Sequence, residues 1–303
     1  MKSVNMSIFF SHLFIIVFWA SAFPGIRLAL TGYSPESLSL LRLLIGSLGL
    51  MIFAIVTRMK LPQVKDIPAI ILFGGLGFTS YYLALNYGEK FVNAGTASLL
   101  VSLTPIFSAI LAWVIFRERI GLWKWIGGIV AFSGVALLSL GYLGGFLFHK
   151  SAFLILIASF VESLYFVLQK PYLKKYGFLS FTCYTIWGGT LLMLIFLPGL
   201  WNSISNAPQE ATWSAVYLGI FPTVLPYIAL GYLTTKRGAS EATSSLYLTP
   251  LLSFIIAWIW LGEIPTFNTI VGGILIIAGI MLTIVQTNVV QTQTQNQKES
   301  VEL

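Results

Sequence analysis

The 303-residue chain has one cysteine, two histidines and one aspartate, and only 9% of its residues are charged. Cys183 is alone in an apolar stretch, so an internal disulfide is excluded and the thiol reads as packing. His12 and His149 lie near opposite ends of apolar runs with no third ligand in reach of the pattern, so no metal or other cofactor is implied. Asp66 falls in a loop, and neither a Ser/His pairing nor an HExxH arrangement occurs, which argues against an enzyme. No glycine-rich loop is followed by Lys-Ser/Thr, so nucleotide hydrolysis is not the energy source. A filter loop and rings of like charge, the marks of an ion channel, are also missing.

What the chain does have is grease. Hydrophobic residues make up 57%, against roughly 45–50% in a soluble domain, and they come in blocks such as 70–85, 97–116 and 246–261. Several approach the roughly 20 residues that span a bilayer as a helix. The net charge of +7 lies in short clusters between these blocks, which suits membrane-flanking loops and not a nucleic-acid face. Lys2, an apolar run and Ala20-Ser21-Ala22 imitate a signal peptide, but the run continues through Phe23 to Leu30, so it is expected to stay as the first span.

Breakers divide the blocks into ten expected transmembrane helices near 8–30, 36–57, 67–88, 94–116, 123–142, 151–172, 178–198, 212–234, 240–262 and 267–286, with a disordered polar tail over 287–303. This makes an all-α integral membrane protein, multi-pass in the cell membrane. With the N-terminus inside, eleven Lys and Arg occupy the inner loops, against Lys90, Lys150 and the nearby Arg27 outside. Because cytoplasmic loops are enriched in these residues, both termini are expected to be cytoplasmic.

A shift of 145 residues aligns the chain with itself. Tyr82-Leu83-Ala84-Leu85 meets Tyr227-Ile228-Ala229-Leu230, Ala94 and Ala97 meet Ala239 and Ala242, and Leu103-Thr104-Pro105 meets Leu248-Thr249-Pro250. The register persists through Ala112-Trp113 and Ala257-Trp258, Glu118 and Glu263, and Gly127-Gly128-Ile129 and Gly272-Gly273-Ile274. Each half holds five spans, an odd number, so the two copies cross in opposite senses. Two inverted five-helix repeats are an architecture of secondary transporters, in which related halves expose a central site alternately to each side.

These repeated residues, with Phe18-Trp19-Ala20-Ser21-Ala22-Phe23 and Leu41-Arg42, carry a resemblance to the drug/metabolite transporter superfamily, in its bacterial EamA form, over residues 7–286. The resemblance implies repeats at 7–142 and 151–286, a bacterial inner-membrane location, metabolite efflux, and a central cavity lined by the first, third, fourth, sixth, eighth and ninth helices with the fifth and tenth peripheral. In the sixth helix, Glu162-Ser163-Leu164-Tyr165 places an acid just before the Ser, and no role transfers to it from the family.

Charge is expensive inside a bilayer, so ionisable residues far from span ends are functional candidates. Glu162 reads as a proton-coupling carboxylate or an anchor for a substrate ammonium, the alternative being an acid that only bridges helices. Arg42 fits a structural or gating tether better than a substrate contact, and a Glu162–Arg42 pair is a further option. Trp19 and Phe23 share a face, and Tyr82, Asn86, Tyr165, Gln169, Tyr227 and Tyr247 lie on helices assigned to the cavity. All are candidate solute-binding residues, packing being the bland alternative for each. Thr104-Pro105 and Thr249-Pro250 interrupt paired helices and read as gating elements, whereas Gly74-Gly75-Leu76-Gly77, Gly127-Gly128 and Gly272-Gly273 read as close-packing points. Trp113, Trp123, Trp125, Trp258 and Trp260 suit the interfacial belt.

The expected function is a secondary transporter or exporter of a small organic solute, with an amino acid as the first candidate. A drug or cationic-metabolite exporter is the runner-up, and a non-transporting receptor comes third. The expected partners are the solute, the lipid bilayer and, as a candidate coupling ion, protons; no nucleic acid is expected, and the oligomeric state is open. The orientation is directly testable. In a Cys183→Ser background, an impermeant maleimide applied to intact cells should label Lys90→Cys and leave Gln295→Cys unlabelled until the membrane is opened; the reverse pattern would invert the topology.

Overall fold

The computed structural model describes residues 6–117, 121–140, 145–237, 246 and 248–282. Tyr247, Glu118, Ala239, Ala242, the start of the ninth expected span and the tail lie outside the described residues. The described chain is helical throughout. Seven stretches are long and apolar enough to cross a membrane: α1 (Met6–Ala29), α2 (Pro35–Val56), α3 (Val64–Glu89), α4 (Ala94–Phe116), Lys150–Leu168 within α6 (Gly145–Leu168), α7 (Phe178–Asn206) and α8 (Gln209–Lys236). Shorter apolar helices lie within α5 (Leu122–Leu140) and form α9 (Thr249–Leu261) and α10 (Phe267–Leu282).

Helix ends follow local sequence. Ser34 caps α2 by accepting from the Ser37 N–H at 3.2 Å, with Pro35 opening the helix, and Asn93 caps α4 by accepting from the Thr96 N–H at 3.2 Å. Gly262 ends α9 with φ +66°, a left-handed conformation that costs glycine little.

Several helices are broken where the sequence carries proline or glycine. α4 turns at Ser102–Leu103 before Pro105. Pro105 has no N–H to give the Val101 carbonyl, and the Thr104 hydroxyl donates to that oxygen at 2.7 Å instead. α8 unwinds between Ile220 and Leu225, where Pro222 leaves the Leu218 carbonyl free; the Thr223 N–H and hydroxyl both donate to it, at 3.1 and 2.8 Å. α3 widens into a π-turn over Gly75–Ser80, whereas the sequence leads us to expect an unbroken span. The expected seventh span, 178–198, continues to Asn206 through a 3-10 turn at Leu194–Phe196.

The packing has a two-fold pattern. α1 lies against α8 and α9, and α6 lies against α3 and α4; α2 contacts α8, α7 contacts α3, and α2 and α7 touch each other. Advancing each partner by five helices turns one set of contacts into the other. Glycine pairs mark the same relation. A Cβ on Gly134 would come within 2.6 Å of the Gly272 carbonyl oxygen, and one on Gly279 within 2.4 Å of the Gly127 carbonyl oxygen, so α5 and α10 meet at reciprocal positions, each 145 residues apart. Close backbone approach of this kind drives association in lipid, where apolar surface alone gives no preference for protein over acyl chains.

Gly74 is the tightest such point between α3 and α7. A Cβ there would sit 2.3 Å from the Gly189 nitrogen and 2.5 Å from the Thr185 carbonyl oxygen, both backbone atoms that cannot swing aside. Gly74→Ala is therefore expected to lose about 1–3 kcal/mol of stability by overpacking. Gly49→Ala, on an exposed face with nothing within 4 Å, should be neutral or gain up to about 1 kcal/mol of helix propensity. Thermal unfolding of the two variants in micelles checks this, and equal midpoints would refute the close-packing assignment.

Candidate functional site

The helix breaks and aromatic faces converge on one buried cavity. α1 contributes Trp19, Ala22, Phe23 and Ile26, a 3.6-period stripe, and α3 contributes Tyr81, Tyr82 and Leu85. Ser98, Val101 and Ser102 come from α4 just before its break, Glu162 from α6, Tyr227 from α8, Thr249 from α9, and Leu246 precedes it. α2 adds Arg42. The cavity holds about 30 Å³, room for two or three waters at roughly 10–15 Å³ each. Among the described residues the space is too small for a solute of metabolite size, which needs the helices to part.

Two charged residues reach this space. Glu162 is 3% exposed; one carboxylate oxygen accepts from the Tyr227 hydroxyl at 3.3 Å, and the other lies 3.4 Å from the Thr104 hydroxyl, whose one proton it shares with the nearer Val101 carbonyl. The broken stretch of α4 is pinned to the same face of α6, because the Ser159 hydroxyl donates to the Leu100 carbonyl at 3.2 Å and the Ser163 hydroxyl to the Thr104 carbonyl at 2.9 Å. Glu162 therefore hangs between the two broken helices, α4 and α8, through long hydrogen bonds only.

Arg42 is 2% exposed. Its Nε donates to the Thr223 hydroxyl oxygen at 3.2 Å, and its guanidinium carbon lies 3.8 Å from the Tyr82 ring centroid. The Tyr82 hydroxyl donates to the same Thr223 oxygen at 3.3 Å. One threonine thus satisfies a carbonyl freed by proline and accepts from both an arginine and a tyrosine. Arg42 and Glu162 do not form an ion pair; among the described residues the ion pairs are Arg27 with Glu263 and Lys175 with Asp66.

Not every residue expected from the sequence lines the wall. Trp19, Phe23, Tyr82, Glu162 and Tyr227 do, joined by Arg42 and Thr249. Tyr165 stands behind Tyr227, with ring centroids 6.4 Å apart, and its hydroxyl lies 3.3 Å from the Thr185 hydroxyl. Asn86 is turned toward α2, donating to the Ser39 hydroxyl at 2.8 Å, and Gln169 is buried beyond the end of α6, off the wall. Pro105 and Pro250 open the helices that carry Thr104 and Thr249. The sequence reading missed Thr223 and the paired serines of α4, although serines four residues apart on an apolar helix were a visible polar face. It also missed Glu89, which is wholly buried at the end of α3.

Two charged clusters link helix ends away from the cavity. At one, Arg27 bonds Glu263 at 3.4 Å and the backbone carbonyls of Glu89 and Lys90 at 2.9 and 3.1 Å, while Glu263 accepts from the Ala94 N–H at 2.9 Å. At the other, Asp66 accepts from Lys175 and Tyr176, and this hydrogen bond raises the Lys175 ammonium above the usual lysine range.

Comparison with known proteins agrees with this architecture. A sequence profile of the EamA-like transporter family matches residues 6–140 and again 149–285. The chain is 53% identical over 289 residues to the uncharacterized transporter YdfC of Bacillus subtilis, covering 95% of this chain and 94% of that protein. It is 41% identical over 268 residues to a probable terminal-alkyne amino-acid exporter of Streptantibioticus cattleyicolor, covering 88% and 90%. One crystal structure shares the fold with a TM-score of 0.64 at 17% identity, over 95% of this chain and 99% of that one.

The Arg42–Thr223 link should register as a coupling. A cycle of Arg42→Gln and Thr223→Val is expected to show an interaction of about 1.5–3 kcal/mol, the range for hydrogen bonds to charged groups. Strictly additive losses in thermal unfolding would mean that the link contributes nothing.

Proposed function

The chain belongs to the EamA-like transporter family, and from that premise we propose that it exports a small amino-group-bearing metabolite, an amino acid first among them, by alternating access through the central cavity. It is a multi-pass membrane transporter of small organic solutes and not an enzyme. The finer reading is ten transmembrane helices as two inverted repeats, 7–142 and 151–286, with both termini cytoplasmic. The reciprocal contacts of α5 with α10, and the five-helix shift that relates the other contacts, support it.

The observation that carries the substrate class is Glu162: a carboxylate buried in an aromatic cavity, beside two hydroxyls, with no cation paired to it among the described residues. A solute ammonium supplies that missing cation, and Trp19, Phe23, Tyr82 and Tyr227 offer apolar faces to its side chain and quadrupole stabilisation to its charge. Tyr165, through its ring contact with Tyr227, supports the wall, with Asn86 and Gln169 further out. Arg42 is a tether, fixing α2 to α8 through Thr223 and to α3 through Tyr82. Thr104-Pro105, where α4 is broken, and Thr249-Pro250, which opens α9, are the points at which paired helices bend as the cavity opens. The relative described as a probable terminal-alkyne amino-acid exporter supports an amino acid. A cationic drug or metabolite is the second reading, favoured by the ring-lined carboxylate, which asks only for a positive charge.

Counterflow in proteoliposomes loaded with pooled amino acids tests this directly. Wild type should exchange an amino acid saturably, and Glu162→Gln should weaken its apparent affinity about 10–100-fold, matching the loss of a charged hydrogen bond. Unaltered exchange would make Glu162 structural. Exchange of cationic drugs without any amino acid would select the second reading.

A further inference from the structure

The cavity uses one buried carboxylate, and α3 carries another. Glu89 is 0% exposed in the last turn of α3, and neither of its carboxylate oxygens receives a hydrogen bond from the protein. Arg27 is beside it but committed elsewhere, to the backbone carbonyls of Glu89 and Lys90 and to Glu263. Glu263 in turn holds the first N–H of α4. An ionised carboxylate left without a donor inside a membrane is costly, and a proton removes that charge.

Glu89 is also aligned with the cavity. One turn earlier on α3, buried Asn86 donates to Ser39, while its own carbonyl oxygen receives no hydrogen bond from the protein. One turn along α2 from Ser39 stands Arg42, whose Nη1 is buried and unpartnered and whose side chain lines the cavity. Glu89, Asn86, Ser39 and Arg42 thus step along the α2–α3 seam from the Arg27–Glu263 end to the centre. Three of the four offer a buried group that no protein atom satisfies, the kind of group that bound water serves.

We propose that Glu89 is a proton-binding site of the transport cycle, separate from the solute cavity, joined to it along Asn86, Ser39 and Arg42 and closed from the nearer face by the Arg27–Glu263 pair. This rests on the transporter reading above, which places that face outside. The charges that act on Glu89 are Arg27 from α1, Arg42 from α2 and Glu263 beyond α9. Lys90 follows it in the chain, and Glu36 of α2 is occupied by the Tyr87 hydroxyl. From α6, Ser151 and Ile155 pack on Gly88, and Lys150 is exposed. When the Arg27–Glu263 pair parts, an O–H bond forms on a Glu89 oxygen as one breaks in a hydronium ion at that face. When Arg27 instead swings toward Glu89, the O–H bond of Glu89 breaks as a water in the seam takes the proton, and the resulting hydronium ion passes it from water to water into the cavity. Inward proton flow and outward solute flow then share one cycle.

Two measurements on the full chain in proteoliposomes test this, with Glu210→Gln at an exposed position as control. The first is infrared difference spectroscopy as pH is stepped without solute. A protonated-acid carbonyl band should vanish in Glu89→Gln, shift in Glu89→Asp, and persist in Glu162→Gln and in the control. A band unchanged in Glu89→Gln would overturn the proposal. The second is amino-acid accumulation driven by a pH gradient, divided by exchange at equal pH. That ratio should collapse in Glu89→Gln and recover in part in Glu89→Asp. A wild-type ratio in Glu89→Gln, or accumulation driven by a sodium gradient in place of a pH gradient, would refute it. If wild type moves no amino acid at all, the solute reading fails alone, because the infrared titration needs no solute.

Discussion

Hydrocarbon offers no water to a backbone carbonyl, so every proline in a membrane helix leaves an oxygen that some other group must satisfy. At Pro105 and Pro222 the replacement is a threonine, and the site is built around those two. Thr104 answers the carbonyl freed by Pro105 and also reaches Glu162; Thr223 answers the one freed by Pro222 and also receives Arg42 and Tyr82. The bends that open room in the centre of the molecule thus bring their own hydrogen-bonding groups to it, and the two charged residues of the cavity meet side chains whose first duty is to the backbone.

Much of this is legible in the sequence because the bilayer makes exceptions conspicuous. The apolar blocks and the 145-residue shift give the helical repeats, and the reciprocal glycines of α5 and α10 occupy positions that the shift already pairs. Glu162 and Arg42 stand out because a charge deep in an apolar run is costly enough to need a partner or a task, although the sequence leaves open whether each binds solute or only ties helices together. Glu89 does not stand out, since the last residue of a span next to Lys90 looks like loop; only the fold, by laying Arg27, Ala94 and Glu263 across it, buries it. The facing of α3 is similarly hidden. Its π-turn changes the helical phase ahead of Tyr81, so a regular 3.6-residue period cannot decide that Tyr82 borders the cavity while Asn86 turns to α2. Tyr165 and Gln169 were drawn toward the centre by residue type, which carries no information about which side of a helix they occupy.

Two ion pairs tie helix ends together, and in both the cation is about a third exposed and the acid less so. They differ in what else they hold. The Arg27–Glu263 pair belongs to a chain of contacts running from α1 through Glu263 to the start of α4, so parting it disturbs three helices together. Asp66 accepts from Lys175 and Tyr176, which joins the start of α3 to the segment between α6 and α7.

The small size of the central cavity has a consequence for the cell as a whole. A transporter that passes between faces through a state with room for two or three waters carries little uninvited on each turn. Its membrane can then sustain an ion gradient and an osmotic difference while the carrier works, because leakage scales with the volume of stowaways per crossing and not with the number of crossings alone.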